Sequence, residues 1–388
     1  MSFRLLTFPN PFEQSQYPYF VSLGDAFLHG RLDLQTPPNV AYDLSLFAGR
    51  VYLYWPPFPA LLFVPLVAIF GSGVSDVPLT VAMGGLDVAL VSMLLKAMDA
   101  RGMASLSAEK RAWLTFFFAF GTVHLTLAPY ASIWFTSELT AFALLCGAYL
   151  ATLRLEGWST PLVAGSLVAA AFLSRSSTPF AAIWIAWYLL RERNRSERLA
   201  PIRIAAFGLA PVLLAAGLLA VYNFLRFGNP LDNGIAYHQM NEVFRADYAS
   251  YGYLNLHYLP TNLYYTLVAI PYLALLGPNP SDFFMGGSLF LLSPVFFLAI
   301  LGVVRTFRRH GWALALSCLV GMGPALVLMG TGWAEFGPRY TLDVTVPLLV
   351  ATALGAREVG TKTLSRLTFV SLLMYVPGTI WLGAALRP

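Results

Sequence analysis

Three arginines and several carboxylates in this sequence stand where apolar runs begin or end. Arg175 lies in "FLSRSSTPF", between two short apolar runs and among Ser174, Ser176, Ser177 and Thr178. Arg339 lies in "FGPRYTLD", after Gly337 and Pro338, with Tyr340 beside it and Asp343 one helical turn on. Arg226 closes an apolar run in "LRFGNP". A guanidinium this close to apolar sequence is costly unless it is paired. Its planar fork stays charged and fits a phosphate or a carboxylate. Arg175 is therefore a phosphate ligand or half of a structural pair with Asp87 or Glu138. Arg339 with Tyr340 is a phosphate contact or the helix-start partner of Asp343. Arg226 is a boundary anchor or a further part of the same site.

The carboxylates offer the complementary chemistry, removal of a proton from a hydroxyl. Glu138, Asp43 and Glu13 are the candidates. Glu138 opens an apolar run, where a helix dipole would also favour it. Asp43 precedes "LSLF" and could cap a helix there. Asp25 is expected to face outward, because Phe20, Leu23, Phe27 and Leu28 form the apolar stripe of its helix. Asp87, in "GGLDVALV", is the one acid well inside an apolar run and is expected to be paired. His238 and Glu242 are four apart in "AYHQMNE" and could hold a divalent metal. With His257 as the only other nearby histidine and no acid cluster, no metal site is expected. Aromatics in "YASYGYLNLHYLPTNLYY" could stack on sugar faces or form a membrane-surface belt. There is no Walker loop, dinucleotide fingerprint or Ser-His-Asp logic.

The elements that must carry these groups are apolar. Hydrophobic residues make up 57% of the 388 and charged residues only 11%, with mean hydropathy +0.65. A soluble globule carries about 25% charged residues, so the chain reads as an all-α polytopic membrane protein. Ten spans are expected, near 77–98, 111–129, 133–153, 160–174, 177–190, 203–225, 283–304, 311–330, 341–356 and 366–386. The isoelectric point near 9.2 does not imply nucleic acid. Most basic residues cluster in alternate loops, including Arg191, Arg193, Arg195 and Arg198, which the positive-inside rule makes cytoplasmic. The few basic residues left on the other side include Arg4 and Arg387, while the acids concentrate on that side. Cys146 and Cys318 both lie in apolar runs, so no disulfide framework is expected. The first twenty residues lack the apolar core of a signal peptide.

Residues 56–71 and 260–277 are apolar, but short and bounded by proline. Pro56, Pro57, Pro59 and Pro65 each remove a backbone donor, which is costly in lipid. The first of these stretches is expected to lie at the membrane surface. Residues 1–76 then form one external loop, followed by a transmembrane domain, 77–388, with a second external loop at 227–282.

In that arrangement the sequence resembles the GT-C membrane glycosyltransferases that use polyprenyl-phosphate sugars, such as protein O-mannosyltransferases and lipid A aminoarabinose transferases. "YFVSLGDAFLHGRLDL" resembles the opening of the family's first external loop, and "YLYWPPFPALLF" its juxtamembrane Pro-Pro segment. "GTVHLTLAPYASIWFTSELTAFALL" resembles the second external loop, with Glu138 as the acid that begins the next span. "GSLVAAAFLSRSSTPFAAIW" is similar to its paired short spans with a basic outer turn. "YNFLRFGNPLDNG" and "EFGPRYTLDVTVP" are similar to recurring segments of bacterial relatives. The family places acids four and three residues before a loop tyrosine and a glycine eleven after it. Tyr19 and Gly30 keep the latter spacing, but the acid positions fall on Ser15 and Gln16, with Glu13 two residues early. The family also begins with a span from the cytoplasm, which would precede this sequence.

The resemblance implies a one-step inverting transfer from a polyprenyl-phosphate sugar donor to a lipid, glycan or protein acceptor. The reaction would take place on the extracytoplasmic face of a bacterial plasma membrane. A carboxylate base and cations at the departing phosphate would serve it. Two alternatives remain: a transporter or flippase of a lipid-linked sugar, and a degenerate homologue that binds lipid without catalysis. Transporters tend to show inverted repeats and midplane polar groups, whereas this sequence shows no internal repeat and concentrates its polar residues outside the spans.

Overall fold

A computed structural model describes residues 10–35, 42–193, 200–332 and 335–385; Arg4, Arg195, Arg198 and Arg387 lie outside them. The N-terminal segment carries α1 (Tyr19–Leu28). It continues with the hairpin β1 (Leu44–Phe47) and β2 (Arg50–Leu53), and α2 (Phe58–Phe70). Leu44 pairs with Leu53 and Phe47 with Arg50, around a turn in which Ala48 and Gly49 take φ of 50° and 75°. Those angles fit a two-residue turn of the primed kind, whose twist suits a hairpin. Tyr19, Phe20, Leu23, Leu44, Leu53, Ala60 and Phe63 make a small core of their own. At 1.5 Å per residue α2 reaches about 20 Å, short of the ~30 Å hydrocarbon layer.

The helical body follows with α3 (Val77–Ala100), α4 (Ala108–Phe120), α5 (His124–Leu127), α6 (Ile133–Arg154) and α7 (Ser159–Phe172). Next come α8 (Thr178–Ala181), α9 (Ile183–Tyr188), α10 (Pro201–Phe227), α11 (Glu242–Tyr251), α12 (Leu259–Leu267) and α13 (Pro271–Ala274). The chain ends with β3 (Met285–Gly286), α14 (Leu289–Leu292), α15 (Phe297–Arg305), α16 (Trp312–Leu326), β4 (Glu335–Phe336), α17 (Leu342–Ala356) and α18 (Thr361–Ala385). β3 and β4 pair in parallel over two residues.

Among the described residues four helices, α3, α6, α10 and α18, are long and apolar enough to cross a membrane. The other expected spans are shorter or interrupted. Segment 283–304 is the plainest correction: it is not one helix but a turn, β3, α14, a second turn and α15. Gly286 has φ 116° and Pro294 removes a donor, so a continuous ladder cannot form across the segment. Serine hydroxyls of the segment reach the ends of other helices, with Ser288 Oγ donating to Leu267 O at 2.6 Å and Ser293 Oγ to Gly121 O at 2.7 Å. α10 shows the opposite extreme, exposing Leu209, Leu213, Leu214, Leu218, Phe224 and Leu225.

α6 and α17 form the centre, each buried along most of its length. α15 lies against α17 with almost no separation. A Cβ added to Gly302 would stand 2.0 Å from Ala351 O, and one added to Gly355 would stand 1.9 Å from Leu298 O. The two backbones thus touch, which fixes α17 and the turn that leads into it.

Candidate functional site

A cavity of about 1160 Å³ opens between the N-terminal segment and the ends of the central helices. One end is built from the helical body. Arg175 occupies the turn between α7 and α8, its N–H donating to Ala171 O at 2.7 Å. Its Nε meets Asp343 Oδ1 at 2.7 Å, and its Nη1 lies 3.3 Å from Glu138 Oε1. Ser177 Oγ donates to the other Asp343 oxygen at 2.6 Å. Arg339 sits in the turn just before α17. Its Nη1 lies 3.4 Å from the same Glu138 oxygen, its Nε 2.8 Å from Glu335 Oε2, and its Nη2 donates to Gly332 O at 2.8 Å. Tyr340 stands under both guanidiniums, 5.5 Å from that of Arg175 and 4.8 Å from that of Arg339. Gly332, at φ 116°, leaves no room for a Cβ, which would come 2.5 Å from Glu335 Oε2.

Two guanidiniums thus share three carboxylates. Burial works against the charge on Arg175, but Asp343 and Glu138 outweigh it and hold the guanidinium charged. For Arg339 burial is likewise outweighed, by Tyr340, Glu138 and Glu335. The Glu335 carboxyl is pushed well up by its burial, against the pull of Arg339.

The other side is built from loops. Asp43 lines the cavity with φ 59°. It therefore does not cap a helix, because a strand follows it. His238 Nε2 meets Asp43 Oδ1 at 2.6 Å, and Trp134 Nε1 donates to Asp43 Oδ2 at 2.6 Å. Tyr54, Trp55, Tyr253 and Tyr340 line the space around this pair.

The remaining sequence candidates are placed as follows. Arg175, Arg339, Tyr340, Asp43 and Glu13 all line the cavity among the described residues. Glu138 lies behind the two arginines rather than on the wall, with 1% of its surface exposed. Arg226 is off the wall too, donating to Leu53 O and Asn223 Oδ1 and so tying the end of α10 to β2. The pairing of Arg339 with Asp343 does not form; Asp343 pairs with Arg175 instead. Asp87 lies 3.7 Å from His124 without a hydrogen bond between them, and away from Arg175. Ser15 donates through both its N–H and Oγ to Asp76, at 2.8 and 2.6 Å. Burial pushes the Asp76 carboxyl up, against these two bonds. Of the aromatic run at 248–265, Tyr253 faces the cavity, while Tyr251 stacks on His257.

His238 and Glu242 do not share a helix face. His238 precedes α11, and Glu242 begins it with its side chain 87% exposed. No group of three or more metal-ligating side chains stands together among the described residues. Both Asp43 oxygens are instead engaged by His238 and Trp134. Trp134 is the residue on this wall that sequence reasoning missed, and His238, read there only with Glu242, meets Asp43 instead.

No family model matches the chain, and no curated protein does. Solved structures do. The Archaeoglobus fulgidus oligosaccharyltransferase in its apo form superimposes with TM-score 0.51 at 13% identity, over 98% of this chain and 53% of that one. Its complex with Zn and sulfate gives 0.51 at 14%, over 98% and 50%. ArnT from Cupriavidus metallidurans bound to undecaprenyl phosphate gives 0.49 at 13%, over 89% and 56%. The chain spans about half the length of the solved structures it matches. Its fold is that of the GT-C membrane glycosyltransferases.

Proposed function

We propose that this protein transfers a sugar from a polyprenyl-phosphate donor to a hydroxyl of a lipid, glycan or protein acceptor, on the extracytoplasmic face of the plasma membrane. Residues 1–76 and 227–282 would form the external loops over the cavity. One observation carries the reading: Arg175 and Arg339 converge on Glu138 at one end of a cavity whose wall also carries Asp43.

In this reading Arg175 and Arg339 bind the lipid phosphate, with Ser177 beside them, and Glu138 holds the two arginines from behind. Asp43 takes the proton from the acceptor hydroxyl. The acceptor oxygen bonds to the anomeric carbon as the carbon–phosphate oxygen bond breaks, its electron pair leaving with the phosphate. Negative charge grows on that phosphate in the transition state, where preorganised cations act most strongly. Glu13 stands at the rim, its carboxylate bonded to Asn10.

The test is transfer by reconstituted protein from a panel of radiolabelled undecaprenyl-phosphate hexoses and pentoses to a membrane-extract acceptor pool. Transfer that Arg175→Ala weakens through donor affinity supports the reading. Donor binding without transfer would favour the degenerate, lipid-binding alternative.

A further inference from the structure

We propose that His238 is a positioning residue for this transfer: it and Trp134 clamp the Asp43 carboxylate from both sides and aim its free lone pairs at the acceptor hydroxyl. The inference rests on the reading of the site given above. Each Asp43 oxygen receives one ring N–H at 2.6 Å, the imidazole on Oδ1 and the indole on Oδ2. A carboxylate with one donor on each oxygen can neither rotate nor turn away without losing a bond to a charged group.

The histidine's protonation follows from its surroundings. Nδ1 of His238 is buried without a hydrogen-bond partner. An imidazolium would leave that N–H unsatisfied, which is costly. The neutral tautomer with its proton on Nε2, assigned from these partners, satisfies Asp43 and leaves Nδ1 as a bare lone pair. The pair therefore keeps the full negative charge of Asp43 for its role as base. His238 itself exchanges no proton. The acceptor proton goes to Asp43, the new glycosidic bond forms, and the phosphate leaves with its electrons.

The backbone is arranged to deliver this clamp. Asp43 is held at φ 59°, a conformation that a non-glycine residue keeps only when its surroundings over-determine it. His238 is pinned to the hairpin by a bridge to Ser45, by Gln239 N–H donating to Leu44 O at 2.8 Å, and by Ser45 Oγ donating to Gly234 O at 2.7 Å. Its ring also rests 5.0 Å from that of Tyr54. None of these contacts is needed merely to close the loop, yet together they bring one imidazole nitrogen to one carboxylate oxygen.

The test uses the full chain in nanodiscs, with the undecaprenyl-phosphate sugar that the unaltered protein turns over. His238→Leu is expected to lower kcat about ten- to a hundred-fold, the effect of one hydrogen bond to a charged group, with the donor KM unchanged. His238→Gln, whose side-chain N–H reaches the place of Nε2, is expected to restore most of that loss. Trp134→Phe removes the other donor and is expected to act as His238→Leu does. Unchanged kcat in His238→Leu, or a His238→Gln variant as slow as His238→Leu, overturns the inference while leaving the transferase reading intact. No transfer by the unaltered protein overturns both.

Discussion

Arg175 and Arg339 hang from turns that lead straight into packed helices, whereas Asp43 and His238 meet from a hairpin and a loop 195 residues apart. The first group is buried among three carboxylates and serves the fold as well as the site. The second is a clamp of two hydrogen bonds on the cavity wall, and little of the core leans on it. The arginines proposed to bind phosphate through buried ion pairs should therefore be hard to alter without harming the fold. Asp43, proposed to move a proton, should be separable from stability.

The largest expected effect lies on the loop side. Asp43→Asn should lower kcat by about 10²–10⁴-fold, the usual contribution of a general base, while thermal unfolding and donor binding stay as they were. A fall in thermal stability matching the fall in rate would erase the contrast. On the helical side, Arg339→Ala leaves Glu335 buried without its partner and Glu138 with Arg175 alone, and should cost about 3–5 kcal/mol of stability. Glu335→Gln in the same chain should recover part of it, as read by unfolding in detergent. Failure of that rescue would show that the arginine matters for phosphate alone. Gly302→Ala should cost about 1–3 kcal/mol through overpacking against Ala351. Because it pushes on α17, it should also weaken binding of undecaprenyl phosphate; a stability loss with affinity unchanged would mean that α17 does not set the arginine geometry. Glu13→Gln should change stability by no more than about 0.5 kcal/mol and leave the transfer rate nearly untouched. A large rate loss there would move the base from Asp43 to the rim.

Much of the fold was legible because apolar runs declare themselves locally. α3, α6, α10 and α18 follow the expected spans within a few residues. Glu138 and Arg175 stood out for the same reason, as charges beside apolar sequence. Pairing was legible only in part: Arg175 with Glu138 was one of two expected pairs and lies at 3.3 Å, but the longer-range partners were not read. Asp343 answers Arg175 across 168 residues, and His238 answers Asp43 across 195. No local periodicity encodes either pair; the packing of α17 and the docking of His238 and Gln239 against the hairpin do. The hairpin was a different kind of miss. "LSLFAGRVYL" alternates around a small-residue turn, which is a strand signal, but Asp43 before it was read as a helix cap.

The two guanidiniums shared among three carboxylates also bear on turnover. With all five groups ionised the cluster carries one net negative charge; with Glu335 protonated, as its burial favours, it is neutral. A sugar phosphodiester brings a single negative charge, while the monoester left after transfer carries about −1.5 to −2 at neutral pH. A purely cationic pocket would grip that product harder than the donor. In the proposed reaction Asp343 and Glu138 would compete with the product phosphate for the same guanidiniums, so the cluster would hold the spent lipid less tightly than two unpaired arginines would.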